Sequence, residues 1–76
     1  MEEFLRFVIG RLVEFPDEVF LTKAESPGSV IFYAAMRKSD VPKIIGKSGH
    51  TIQALRTLLN ASAQRHGVKA GFEIVE

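Results

Sequence analysis

Apolar positions in residues 2–14 recur at the spacing of a helix. Phe4, Leu5, Val8, Ile9, Leu12 and Val13 follow at i, i+4, i+8 and their neighbours, while Arg6, Arg11 and Glu14 take the other side. That pattern predicts an amphipathic helix. Glu2 and Glu3 suit its positive N-terminal end. Pro16 is expected to stop it, because the residue before a proline avoids the helical region. Over residues 18–25 the period changes to two, with Val19 and Leu21 on one side and Phe20 and Thr22 on the other. Residues 30–36 are rich in β-branched and aromatic side chains and read as a more buried strand. Between the two runs, Ser26-Pro27-Gly28-Ser29 is turn chemistry, so an antiparallel hairpin is expected.

The second half returns to helical spacing. Asp40 is a good N-cap residue and Pro42 sits in the first turn that follows, which predicts a short helix over Val41–Ile45 ending at Gly46. Lys47-Ser48-Gly49 then leads into a long helix with Ile52, Leu55, Leu59 and Ala63 on one face and Gln53, Arg56, Asn60 and Gln64 on the wet one. His66-Gly67 closes it. A last strand over residues 68–75 puts Val68, Ala70, Phe72 and Ile74 on one side. The order α-β-β-α-α-β predicts a two-layer α+β sandwich, with the helices on one face of a three-stranded sheet. The return through two helices allows the last strand to run parallel to the second, so the sheet should be mixed.

Composition narrows the functional classes. The chain has 76 residues, 46% hydrophobic and 25% charged, and no cysteine. One domain over residues 1–76 is expected, with a core too small for a buried two-domain active site. Disulfides, cysteine-based zinc sites and thiol nucleophiles are excluded. No signal-peptide pattern and no run of 18 or more apolar residues is present, which predicts a cytoplasmic protein outside the membrane.

The net charge of +1 hides an asymmetry. Residues 1–36 carry a net −3. Residues 37–72 hold seven cations (Arg37, Lys38, Lys43, Lys47, Arg56, Arg65 and Lys69) against Asp40 alone, a net +6. That is an electrostatic footprint for a polyanion, although charge clustering is equally the mark of solvated faces.

Candidate chemistry lies in Ile44-Ile45-Gly46-Lys47-Ser48-Gly49-His50-Thr51-Ile52, a helix–GxxG–helix element. Two glycines let the backbone turn sharply with no Cβ in the way. The amides that open the second helix are unpaired and favour an anion. Lys47 adds a charge and Ser48 a hydroxyl.

This element resembles the signature of the KH domain, and the order α-β-β-α-α-β is similar to the bacterial, type II arrangement of that domain. The length and the ending Phe72-Glu73-Ile74-Val75-Glu76 resemble the small bacterial single-KH RNA-binding proteins. The resemblance implies a single-stranded RNA binder in which Gly46, Lys47, Ser48 and Gly49 clamp the backbone of about four nucleotides. It implies that Ile44 or Ile45 floors the groove for a base while the other enters the core, and that Lys43, His50 and Arg56 are flanking contacts. It also implies a protein partner, either a second copy or a larger Jag-type RNA-binding protein, and roles in RNA chaperoning, cell shape and cell-wall growth. Two positions depart from the family pattern. Pro42 stands where glycine is common, and His50 where arginine is common.

Rival chemistries fit less well. A P-loop needs glycine five positions before Gly46, where Val41 stands. His50 and His66 lie near opposite ends of one helix, too far apart to share a metal, and no buried acid is placed to orient His50 beside Ser48. No enzymatic activity and no cofactor are expected. The serious alternative is a protein-interaction module. Phe4, Phe7, Val8, Leu12 and Phe15 compete for burial around the first helix, and Phe20 points away from Val19 and Leu21. Apolar side chains left uncovered would mark a partner surface.

Overall fold

A computed structural model describes residues 1–75 of the chain. Its elements are α1 (Glu2–Leu12), β1 (Phe20–Ser26), β2 (Ser29–Ala35), α2 (Val41–Ile45), α3 (His50–Arg65) and β3 (Lys69–Val75), in the expected order. The sheet order is β1-β2-β3. β1 pairs antiparallel with β2 through a turn at Pro27-Gly28, and β2 pairs parallel with β3, so the sheet is mixed.

Alternation along the strands sorts the two faces. Opposed positions share a face, so Phe32 and Phe72 form one row and Val30 and Ala70 another. All four are buried against Leu5, Ile9 and Val13 from the α1 side and Ile52, Leu55, Leu59 and Ala63 of α3. Phe72 is the largest side chain with almost no exposed surface, and its burial stabilises the fold by about 1.5–3 kcal/mol. On the opposite face Phe20, Ile31 and Val75 remain exposed.

Several boundaries differ from the sequence expectation, β2 by one residue at each end. α1 ends at Leu12 rather than Glu14, four residues before Pro16. Val13 turns to extended backbone, with φ −88° and ψ 155°, and buries its side chain. The next two amides, of Glu14 and Phe15, donate to the carboxylate of Asp40 at 3.0 and 3.1 Å instead of continuing the helix. A remote acceptor, not the proline, stops α1. β1 starts at Phe20 rather than residue 18, because Pro16–Glu18 forms a 3-10 turn. β3 starts at Lys69, since the amide of Val68 closes the end of α3 on the Ala63 carbonyl at 3.1 Å.

Asp40 itself is a correction. No side chain caps α2; the Asp40 carboxylate reaches back to the α1–β1 connection. The crowd of apolar residues on α1 is only partly covered. Leu5 and Ile9 are buried, Phe15 is half-buried beneath the Arg37 guanidinium 3.7 Å from its ring centre, and Phe7 stays 66% exposed.

Candidate nucleic-acid interface

The short helix α2 delivers the loop. The Gly46 amide donates to the Pro42 carbonyl at 2.8 Å, and the Gly49 amide to the Gly46 carbonyl at 3.1 Å. Gly46 takes φ 77° and ψ 173°, a region essentially reserved for glycine. Ser48 (φ 56°) and Gly49 (φ 75°) follow in left-handed conformation, and Ser48 is the one non-glycine residue with positive φ among those described. Left-handed backbone costs an ordinary residue roughly 1–2 kcal/mol, so the loop holds Ser48 in a costly shape.

α3 begins directly after this kink. No side chain caps its N-terminus, although the amide of its first residue, His50, is spent on the Lys47 carbonyl rather than left open as the sequence suggested. The positive end of a 16-residue helix is therefore presented beside Lys47 and Ser48, both exposed. His50 is exposed on the same turn. The two isoleucines separate cleanly: Ile44 has no exposed surface and joins the core, while Ile45 is 36% exposed on the loop side of α2.

The structure gives several expected cations internal partners. The Lys43 ammonium lies 3.2 Å from Asp40 and 3.3 Å from Glu14. Its hydrogen bond to Asp40 holds it above the usual lysine pKa, against a smaller opposing effect of burial. Arg56 donates from Nε to the Phe72 carbonyl at 3.1 Å and lies 3.6 Å from the Glu73 carboxylate, joining α3 to β3. Arg37 pairs with Glu18. Of the seven cations in residues 37–72, Lys38, Lys47, Arg65 and Lys69 make no ion pair among the described residues. Arg65 and Lys69 sit at the far end of α3, about 22 Å along its axis from the loop. Lys47 is thus the one such cation carried on the loop itself.

Sequence reasoning missed two residues that shape the site. Thr51 packs so closely on Gly46 that a Cβ at position 46 would overlap its side chain. Asp40 was legible only as a cap, yet it stands as the single acid among seven cations, and that isolation was the available signal.

Burial pushes the Asp40 carboxyl upward, but the amides of Glu14 and Phe15 and the Lys43 ammonium outweigh it and hold the group below the usual aspartate value of 3.8. Glu14, Lys43 and Arg37 are the other charged groups around it. A carboxylate depressed in the folded state stabilises fully above its unfolded pKa, and that contribution is lost as pH falls through the folded value. Acid melts should therefore lose a stability increment below about pH 4. Asp40→Asn should flatten that part of the pH profile; an unchanged profile would remove Asp40 from the account.

Comparison with known proteins agrees with this architecture. The family model described as KhpA/KhpB, KH domain matches residues 2–74. A protein of Chlamydia trachomatis named RNA-binding protein KhpA is 43% identical over 76 residues, covering all of this chain and 97% of the relative. Proteins of the same name from Treponema pallidum and Listeria monocytogenes are 39% and 33% identical, covering 99% and 100% of this chain and 94% and 100% of theirs. No solved structure matched the chain. With the helix–GxxG–helix element, the mixed three-stranded sheet and a family match over nearly its whole length, the chain belongs to the KhpA/KhpB family of KH domains.

Proposed function

We propose that this protein binds single-stranded RNA, with Gly46, Lys47, Ser48 and Gly49 clamping the sugar-phosphate backbone and Ile45 flooring the groove for a base. The observation that carries this reading is the loop itself. A strained, exposed turn places Lys47 beside the uncapped N-terminus of α3, and left-handed backbone at a serine is characteristic of functional loops. His50 flanks the clamp. The names of the relatives support RNA as the polyanion. Acting with a partner, whether a second copy or the larger Jag-type protein, the domain would serve in the cytoplasm as an RNA chaperone or post-transcriptional regulator.

Two measurements test this. A single-stranded oligonucleotide should bind better than the same sequence as a duplex, because an A-form helix cannot splay its bases into the groove. With Lys47 and at most one neighbour on phosphates, the log–log salt slope should be about −0.7 to −1.4, a roughly three- to sevenfold loss between 50 and 200 mM salt. Equal or tighter duplex binding would sink the clamp.

A second reading, a protein-interaction module, is favoured by Phe7 and Phe20, 66% and 68% exposed. Light scattering on a sizing column, with and without a short RNA, separates the two: a dimer that ignores RNA supports the second.

A further inference from the structure

α2 has five residues, too few to hold its own shape or direction in water. Something else must aim it. One anchor is Ile44, sealed in the core. The other stands at its start. Asp40 is the one charged residue with no exposed surface among those described. Its Oδ1 accepts from the Glu14 amide at 3.0 Å and from Lys43 Nζ at 3.2 Å, and its Oδ2 accepts from the Phe15 amide at 3.1 Å. Lys43, one turn into α2, also reaches the Glu14 carboxylate at 3.3 Å. The knot of Glu14, Asp40 and Lys43 thus ties the helix that ends in the loop to the segment that follows α1, across 26 residues of sequence.

We infer that Asp40, with Lys43 as its clasp, is the positioning residue of the loop. It sets where Ile45 and residues 46–49 stand against the rest of the domain, and the Lys43 ammonium acts inward rather than on a phosphate. A helix about 7.5 Å long, held at its start and on one side, moves as a rigid unit. The Gly46 amide on the Pro42 carbonyl carries that placement into the loop. The binding consequence rests on the clamp proposed above; the placement itself does not.

The experiment uses Asp40→Asn and Lys43→Gln, read by amide hydrogen exchange near pH 7 and by single-stranded RNA titration at several salt concentrations. In Asp40→Asn the hydrogen-bonded Gly46 and Gly49 amides should speed up by a factor at least about tenfold larger than the one shared by the Phe32 and Ala34 amides of the central strand, which reports the loss of global stability. RNA affinity should fall about tenfold with an unchanged salt slope, since no phosphate contact is removed. Lys43→Gln should act in the same direction, about threefold, and it keeps the test open should Asp40→Asn fail to fold. Uniformly faster exchange across loop and sheet, or loop amides as protected as in the parent, overturns the inference. A salt slope smaller by about 0.7 in Lys43→Gln also overturns it, because Lys43 would then be a phosphate contact. A parent protein that binds no RNA sinks the clamp instead, and the exchange data alone then decide for or against Asp40.

Discussion

Replacing Lys47 and Ser48 together by aspartate is expected to abolish RNA binding and leave the thermal melt almost unchanged. Both side chains are exposed on the kink between α2 and α3, and neither belongs to the core. Lys47 makes no ion pair that its loss would strand among the described residues. Ser48 sits at φ 56°, where aspartate is among the better-tolerated residues. Acids beside the N-terminus of α3 suit the helix dipole by about 0.3–1 kcal/mol each. For a bound phosphate the sign reverses. One attractive charge is removed and two repulsive charges face it, and a like-charge pair at 4 Å costs roughly 1–4 kcal/mol depending on exposure. A micromolar complex would move to the millimolar range or beyond. The check is a paired melt and titration at fixed salt. A double variant that melts like its parent and binds RNA equally well would remove the loop as the site and promote the protein-interaction reading.

The second large effect concerns the two loop glycines, which a motif treats alike and the backbone does not. Gly46→Ala should destabilise by at least about 3 kcal/mol, roughly 12–24 °C of melting temperature in a domain this small. Its φ of 77° with ψ of 173° is a region L-residues almost never enter, costing about 1–3 kcal/mol alone. An added Cβ would also collide with the Cβ and backbone nitrogen of Thr51. Thr51→Ser should not rescue it, because serine keeps both of those atoms. Gly49→Ala meets open space and pays only for left-handed backbone, about 1–2 kcal/mol. Melts of the two variants decide the matter: equal drops would mean that the Thr51 contact carries no weight.

The element order was readable because each element writes its own period. Residues 2–14 repeat at helical spacing, β3 alternates, and Gly46 marks a turn no other residue makes cheaply. The candidate loop was readable for the same local reason. The choice between Ile44 and Ile45 was not. They are adjacent on a helix of barely more than one turn, and no period distinguishes them; the core filled by Leu5, Ile9 and Leu59 took Ile44. The end of α1 was misplaced because its true stop lies far along the chain, at Asp40.

The charge pattern divides in the same way. The sequence by itself determined that residues 37–72 are basic, that one face of each long element is apolar and that a glycine-bounded turn joins two helices. Only the tertiary structure decided which cations remain available. It paired Lys43 with Asp40 and Glu14, tied Arg56 to the Phe72 carbonyl, and left Lys47 facing outward on the loop. The physical reason is range. Periodicity and backbone freedom are properties of neighbouring residues, whereas an ion pair or a buried carboxylate needs partners that only folding brings within about 3 Å.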